Sequence, residues 1–531
     1  MQVTTVLYNG NIHTMDKQTP HARAIALAGN RIVAVGDDAA MRALLAPDGK
    51  AIDLRGQTVV PGFTDAHIHF LYYGLSLREI DLMDVPTLAE AQQRIADRAA
   101  TTPAGHWLTG RGWDHSLWPG GAFPTRQELD QVAPEHPAFL RRKCGHIGWA
   151  NSRALALAGI TANTPDPAGG EIERDPVTGE PTGILKELAM DLVGQLLAQP
   201  TEAEITDAIK TAMAEAHKHG IVGIQLMGGD SLPVLQALRA NGELKLRVTY
   251  NIPVVDLDAA IQVGLRPGLG DEWLRIGGVK FFADGSLGGR TAQMIAPYEN
   301  EPNNYGIEVT TREQIHAITF KAARAGLPIL VHAIGDQANR NVLDAIEATH
   351  QAGIGLNLRH RIEHAQVLHP DDLPRFAQLG VVASMQPIHA TQDMRMADAY
   401  WGARSRGAYA WRSLLNSGAV LAFGSDAPVE DLNVMKGLHA AVTRRRPDGY
   451  PGPDGWYGEE RLSMEEAVYA YTVGAAYAVW AEKIEGQLAP GMAADLVILS
   501  EDIFSLNPMA LLETDVVATM VGGEFVYGEG Y

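Results

Sequence analysis

The middle of the chain alternates short apolar runs with longer, Ala-rich stretches of helical periodicity. The clearest helical stretches cover residues 202–219, 312–325 and 340–349. Strands that alternate with helices are typical of βαβ units, in which the strands run parallel. Eight apolar runs have the length of buried strands, and they cover residues 60–64, 222–227, 247–253, 279–283, 328–333, 361–365, 381–386 and 420–425. This pattern predicts an α/β fold, the (β/α)8 TIM barrel. An open doubly wound sheet is the alternative, but no Gly-rich phosphate loop follows an early strand to favour it.

Both ends of the chain have a different texture, in which short strands are separated by turns. Turn pairs such as Asn9-Gly10 and Gly522-Gly523 punctuate the strand-like runs. The shared texture predicts one small composite β-sandwich domain built from both termini. Residues 1–58 and 484–531 would form it, and residues 59–483 would form the barrel. Two unrelated flanking segments are the alternative.

One stretch is far too long to be a barrel loop. Residues 71–200, approximately, separate the first two predicted strands, whereas a simple connection takes only a few residues. The stretch contains Trp107, Trp113, Trp118 and Trp149, together with many Gly and Pro residues. We interpret it as an inserted subdomain on the catalytic rim of the barrel. The alternative is an extra packing layer whose tryptophans belong to its own core.

Composition and charge narrow the classes of function. The chain has 531 residues, of which 46% are hydrophobic and 20% charged, as in ordinary globular proteins. The formal net charge of -20 disfavours nucleic acid and anionic membranes, because both require a basic surface. A single cysteine, Cys144, excludes an intrachain disulfide and a thiolate zinc cluster. There is no export signal and no long apolar run, so we expect a cytoplasmic protein that acts on a small molecule. A homo-oligomer is left open.

Metal-competent side chains recur at the ends of the predicted strands. Residues two apart in a strand face the same side, so His67 and His69 can share one metal. Lys280 lies within a strongly apolar run, where it must find a partner, lose its proton or be modified. Three further strands end with His332, His364 and Asp426. Each residue alone has an ordinary explanation, but the ends of barrel strands meet at one mouth. Together the residues predict a hydrolytic metal site with nitrogen and oxygen ligands.

The same residues resemble a known superfamily. The motif Pro61-Gly62-Phe63-Thr64-Asp65-Ala66-His67-Ile68-His69, with the four later positions, resembles the amidohydrolase superfamily. The resemblance covers nearly the whole chain, because residues 9–12 and 494–497 of the two ends match as well. Residues 280–292, which read KFFADGSLGGRTA, and the long insertion are similar to the YtcJ-like branch. That branch includes N-substituted formamide deformylases and AepA-like exoenzyme regulators.

The resemblance implies a role for each matching position. His67 and His69 would hold the more buried metal, and His332 and His364 the more exposed one. Asp426 would ligate the first metal and exchange protons with the hydrolytic water. The implied metal residues are His67, His69, Lys280, His332, His364 and Asp426, and the implied catalytic residues are Asp426, Lys280 and His364.

The implied cofactors are one or two divalent ions per chain, Zn²⁺ before others, and a modified lysine. Lys280 matches the position that is carboxylated in binuclear members and bridges both metals. Carboxylation would convert a costly buried ammonium into an anionic ligand, giving N6-carboxylysine. An unmodified Lys280 would instead pair with a carboxylate or polarise the substrate.

Six further residues are candidates for contact with the substrate. They are Asp284, Arg290, Gln386 and His389 on the barrel rim, and Trp113 and His146 in the insertion. The aromatic rings of the insertion favour an apolar or aromatic substituent beside the scissile bond. We predict that a metal-bound hydroxide attacks a non-peptide amide such as an N-substituted formamide. A deaminase or a cyclic amide hydrolase of the same superfamily is the alternative, and a non-catalytic regulatory protein is a rival of another class.

Overall fold

Eight parallel strands form the central sheet, and their neighbours pair in chain order. The computed structural model describes residues 2–143, 145–167, 169–229 and 231–528, so Cys144 lies outside the described residues. The strands are β1 (Phe63–Ile68), β2 (Ile221–Leu226), β3 (Arg247–Pro253), β4 (Leu274–Phe282), β5 (Ile329–Ala333), β6 (Arg361–His364), β7 (Val382–Met385) and β8 (Leu421–Phe423). Beyond β8, Asp426 N donates to His67 O at 2.8 Å, and His69 N donates to Ala427 O at 2.9 Å. These bonds bring the two edges of the sheet together, and the predicted barrel is confirmed.

The first predicted strand, residues 60–64, is wrong in its bounds. The strand Thr58–Pro61 pairs with Leu496–Leu499 in a terminal sheet, whereas β1 pairs with β2. The chain passes from one sheet to the other at Gly62, where a Cβ would lie 2.4 Å from a methyl group of Val222. An unbroken apolar run therefore hides a change of sheet. As a result, His67 lies inside β1 rather than after it.

Helices alternate with the barrel strands. Their bounds are Glu202–Lys218, Leu232–Ala240, Leu257–Gln262, Arg312–Arg324, Asp336–Gln351, Leu373–Leu379, Pro387–Trp401, Trp411–Ser417, Val434–Thr443 and Met464–Tyr469. Thr311 and Gln314 cap the start of Arg312–Arg324 reciprocally. The helix Pro387–Trp401 begins directly after β7. Proline suits this first position because it has no backbone N–H, which would be unpaired in the first turn of a helix. Within the described ranges, no helix is long and apolar enough to cross a membrane.

The two ends of the chain build a pair of sheets. One sheet has four strands: Arg31–Gly36, Ala24–Ala28, Val3–Tyr8 and Leu45–Asp53. The other has six strands from both termini: Glu524–Tyr527, Val516–Val521, Leu496–Leu499, Thr58–Pro61, Asn11–His13 and His21–Ala22. Side chains of both sheets share one apolar core, to which Leu7, Ile25, Leu496 and Met520 belong. Burial of this shared core holds the two ends together.

Residues Leu71–Ala212 form a second compact unit with its own sheet. The six strands are Gly170–Arg174, Pro181–Glu187, Ile147–Ala150, Ala138–Arg142, Leu108–Trp113 and Ile80–Asp81. The helices Leu88–Thr101, Arg126–Val132 and Ser152–Leu157 accompany them. The core of this unit includes Trp113, Trp118 and Trp149.

Candidate metal centre

The two histidines of the β1 motif direct one nitrogen each at the same carboxylate oxygen. His67 Nδ1 donates to Glu363 Oε2 at 2.6 Å, which leaves Nε2 facing Asp426 Oδ1 at 3.5 Å. His69 Nε2 lies 3.3 Å from the same oxygen. The ligand atoms of His67, His69 and Asp426 all lie within 4.8 Å of one another. The structure therefore brings together three residues that the sequence assigns to one metal.

Glu363, which the sequence reasoning left without a role, fixes the orientation of His67. Burial raises its pKa, but the Arg361 guanidinium and the His67 hydrogen bond outweigh burial and lower the pKa to about 2. Arg361 is held in turn by Ala66 O at 2.7 Å and Ser384 Oγ at 2.8 Å. A carboxylate that accepts from one ring nitrogen of a histidine fixes which nitrogen remains for a metal. The signal in the sequence was a glutamate within a buried strand, which must have a partner.

A second group of ligand-competent atoms shares Asp426 with the first. His364, His389 and Asp426 also place their ligand atoms within 4.8 Å of one another. His364 Nδ1 bonds to Gln386 Oε1 at 2.8 Å, and His389 Nε2 lies 3.3 Å from Asp426 Oδ2. Gln386 and His389 were expected to contact substrate; the structure buries both beside predicted metal residues.

His332 is close to this second group but uses its nitrogen differently. Its ring centroid is 4.6 Å from that of His364, while its Nε2 donates to Gly285 O at 3.0 Å. Burial lowers the pKa of His332 to about 3, and that of His364 well below its ordinary value. Both imidazoles are therefore neutral at pH 7 and carry a nitrogen lone pair. Neither of the two groups found among the described residues includes His332.

Lys280 is a buried amine whose Nζ lacks a hydrogen bond within the described part of the chain. Its Nζ makes no hydrogen bond to any described residue and lies 4.2 Å from the centroid of the Phe282 ring. Burial lowers the pKa of Lys280 to about 8, although the charges of Glu363 and Asp426 oppose the shift. An amine with this pKa loses its proton more readily than an exposed lysine. The neutral form is the one that can be modified or can bind a metal.

Asp426 lies at the point where the two groups meet. Burial raises the pKa of Asp426, but the contacts with His389 and His69 outweigh burial. The pKa is therefore well below its ordinary value. His389 shows the converse effect: burial lowers its pKa, and Asp426 and Glu430 raise it to about 10. Oδ1 of Asp426 has no hydrogen bond of good geometry within the described part of the chain.

These side chains fit a divalent cation. Buried polar atoms without hydrogen bonds among the described residues converge here, namely Lys280 Nζ, Asp426 Oδ1 and Gln386 Nε2. Buried polar groups normally have hydrogen-bond partners, so such a cluster is suited to binding a ligand. Neutral imidazoles and a carboxylate form the nitrogen and oxygen set that Zn²⁺ and neighbouring metals accept. His67, His69 and Asp426 would hold one cation, and His364 with Asp426 would serve a second.

Two rim candidates have structural partners that account for them. Asp284 accepts backbone N–H bonds from Ile334 at 3.0 Å, Gly335 at 2.8 Å and Gln293 at 2.9 Å. It therefore ties the loops after β4 and β5 together, and it is 1% exposed, which corrects the expectation of a substrate contact. Arg290 is half-exposed and forms an ion pair with Glu301.

The two insertion candidates differ from each other. Trp113 is fully buried among other tryptophans, and its indole N–H donates to Leu140 O at 2.9 Å. Packing of the insertion core accounts for Trp113 and leaves it no surface for a substrate, so this expectation is corrected. His146 remains accessible: it lines an open cavity of the insertion of about 250 Å³ and bonds to Glu187 Oε2 at 2.9 Å.

Phe282 is an exposed aromatic residue beside the candidate centre that the sequence reasoning did not select. It ends β4 two residues after Lys280, so both side chains lie on the same face of the strand. Its side chain is 44% exposed, and its ring centroid lies 5.1 Å from that of His332. The alternation of β4 could have identified it, because Phe281 faces the opposite side and is buried.

Comparison with known proteins gives matches along nearly the whole chain. A model of the amidohydrolase family matches residues 50–527. Protein LONG AFTER FAR-RED 3 of Arabidopsis thaliana is 35% identical, over 98% of this chain and 91% of that protein. The putative amidohydrolase YtcJ of Bacillus subtilis (strain 168) is 32% identical, over 98% of this chain and 99% of that protein. The N-substituted formamide deformylase of Arthrobacter pascens is 29% identical, over 98% of each chain.

A solved structure also matches. An uncharacterized metal-dependent hydrolase from Pyrococcus horikoshii OT3 superposes with a TM-score of 0.79 at 29% sequence identity. The superposition covers 95% of this chain and 99% of the other.

Proposed function

The chain belongs to the amidohydrolase family, and from this premise we propose that it hydrolyses the formyl carbon–nitrogen bond of an N-substituted formamide. The broader class is a metal-dependent hydrolase of non-peptide carbon–nitrogen bonds. One observation carries the proposal: Asp426 belongs to both groups of ligand-competent side chains, with Oδ1 facing His67 and His69 and Oδ2 facing His389. The similarity to a formamide deformylase over 98% of both chains supports the choice of substrate.

The residues of the centre divide the work of amide hydrolysis. A bound divalent cation supplies Lewis acidity, which acidifies water and polarises a carbonyl oxygen. Asp426 Oδ1 accepts the proton of the attacking water and returns it to the leaving nitrogen, which departs as an amine. Glu363 keeps Nδ1 of His67 protonated, so that Nε2 remains a ligand.

Lys280 is proposed to be carboxylated. Its neutral amine would add to the carbon of carbon dioxide, forming one N–C bond and releasing one proton. The product is an anion, so it replaces a buried amine that has no hydrogen bond to a described residue with a group suited to a metal. A mass increase of one CO₂ on the peptide that contains Lys280, measured without acid treatment, tests this step.

Phe282 favours an apolar substituent on the nitrogen. Its exposed ring offers apolar surface next to Lys280 and His332. A matched apolar contact contributes about 1–3 kcal/mol of discrimination. We therefore expect an N-benzyl formamide to be a better substrate than an N-methyl formamide.

The test combines metal analysis with a panel of substrates. Zinc-loaded protein is assayed for formate release from N-benzylformamide and N-methylformamide, and for ammonia release from aminopurines. Phe282→Ala should lower kcat/KM for the benzyl compound about 10-fold and leave the methyl compound unchanged. Phe320→Ala, an exposed phenylalanine on the helix Arg312–Arg324, is the matched control.

The outcomes test the substrate, the type of reaction and the apolar contact separately. Absence of formate from every formamide, with metal bound, would reject the substrate and leave the hydrolase class standing. Ammonia release would identify a deaminase instead. Equal effects of Phe282→Ala on both formamides would reject the apolar contact.

A further inference from the structure

His389 is a buried histidine outside the six positions that the superfamily resemblance assigns to metal. It is the third residue of the helix Pro387–Trp401, which begins directly after β7. The sequence places it on the barrel rim, but the structure buries it between two carboxylates. Its position therefore calls for a role other than contact with substrate.

The imidazole of His389 bridges Asp426 and Glu430. Its Nε2 lies 3.3 Å from Oδ2 of Asp426, the oxygen opposite the one that faces the β1 histidines. On the other side of the ring, Nδ1 lies 3.7 Å from Oε1 of Glu430. Both carboxylates are buried, so this contact is shielded from competing water.

The carboxylate of Asp426 needs such a restraint. Rotation about the terminal bond of an aspartate side chain has a broad, roughly two-fold profile, so the carboxylate does not hold one orientation by itself. Oδ1 has contacts with His67 and His69 but accepts no hydrogen bond of good geometry within the described ranges, whereas Oδ2 has a hydrogen bond from His389. Without it, Oδ1 would be free to turn away from the β1 histidines.

We propose that His389 is a positioning residue, which holds Oδ2 of Asp426 so that Oδ1 stays directed at His67 and His69. On the other side of the ring, the Glu430 carboxylate attracts Nδ1 of His389 by charge at 3.7 Å. The inference rests on the proposed function, because that function assigns Asp426 Oδ1 to the cation and to proton transfer. Partners of this kind typically contribute 10–100-fold, approximately, to metal affinity or activity.

The experiment compares His389→Ala, His389→Gln and Glu430→Gln with the wild type. Each protein is loaded with Zn²⁺ alone, and its zinc content and rate of zinc release to EDTA are measured. We expect wild-type stoichiometry throughout and release about 10–100-fold faster from His389→Ala. His389→Gln should recover part of the loss, since its amide can donate to Oδ2, and Glu430→Gln should show a smaller acceleration. His439→Gln, a buried histidine of the helix Val434–Thr443, is the matched control and should match the wild type.

Turnover gives a second measurement. With the best formamide of the panel, kcat should fall in the order wild type, His389→Gln, His389→Ala, while KM changes little. Loss of one full zinc equivalent from His389→Ala at saturating Zn²⁺ would overturn the proposal, because His389 would then be a direct ligand. Wild-type release rate and kcat in His389→Ala would overturn it as well.

Crystal structures of the metal-free wild type and His389→Ala proteins test the geometry directly. The proposal expects the Asp426 carboxylate to rotate in the variant, and an unchanged carboxylate would overturn it. This comparison needs neither zinc nor substrate. A wild type that binds no zinc would therefore reject the proposed function, while the position of Asp426 would still decide the role of His389.

Discussion

At the C-terminal end of β4, the buried amine of Lys280 has no hydrogen-bond partner among the described residues, whereas at the N-terminal end of β3 the buried guanidinium of Arg247 is paired. At the N-terminal end of β3, Arg247 Nη2 donates to Asp495 Oδ1 at 3.0 Å. The same oxygen accepts from Gly522 N at 2.7 Å, and Arg247 Nη1 donates to Glu272 O at 3.1 Å. At the other end, Lys280 Nζ makes no hydrogen bond to a described residue.

Burial is similar at the two ends, so it does not distinguish structure from function here. Arg247 is 2% exposed and Lys280 is 4% exposed. The difference lies in the hydrogen bonds: the partners of Arg247 offset the cost of burying its charge, whereas a buried charge without partners costs stability until a further group binds. Of these two similarly buried cations, the one without a hydrogen bond to a described residue lies beside the candidate metal centre.

The sharpest test makes the same change at both ends. Asp426→Asn should lower kcat about 10²–10⁴-fold, since an amide cannot accept the proton, and it should leave the thermal midpoint close to that of the wild type. Asp495→Asn should lower the midpoint and leave kcat of the folded protein unchanged. Steady-state kinetics and thermal unfolding of both variants measure this. Comparable kcat losses in the two variants would contradict the division of roles.

The second test breaks the paired end. Arg247→Met leaves the Asp495 carboxylate buried without its cation, so we expect a loss of about 3–5 kcal/mol in the free energy of unfolding. Lys245→Met is the matched control, because the exposed Lys245–Glu524 pair should contribute no more than about 1 kcal/mol. Denaturant unfolding measures both. A small loss in Arg247→Met would show that the buried pair is not structural.

The alternation of strands and helices was enough to predict the barrel, because each parallel strand is a separate apolar run. The strand Arg247–Pro253 was predicted with its observed bounds. The first strand was not, since hydrophobicity does not reveal that the chain changes sheets at Gly62. Strand-end position also selected His67, His69 and Asp426, which the structure brings together.

Contacts that depend on side-chain direction were harder to predict. The sequence placed His389 just after the seventh predicted strand but did not reveal that its ring meets Asp426 and Glu430, so His389 was assigned to the substrate. The prediction that Trp113 contacts the substrate was wrong for a different reason. An aromatic residue in an insertion has the same sequence pattern whether it lines a pocket or fills a core. Only the packing around Trp113 decides between the two.

Lys280 allows the finest test, because the cost of leaving it unpaired should depend on pH. In metal-free protein without bicarbonate, burial lowers the pKa of Lys280 from 10.5 to about 8. Below about pH 8 both folded and unfolded chains carry the proton, and the folded state bears the full cost. Between about pH 8 and 10.5 the folded state loses its proton first, so this cost fades, and above that range it disappears.

Lys280→Met should therefore raise the free energy of unfolding by about 1–4 kcal/mol at pH 7 relative to the wild type. The difference should shrink as pH rises through that window, as measured by denaturant unfolding at several pH values. Parallel stability curves for the two proteins would mean that Lys280 has a partner after all.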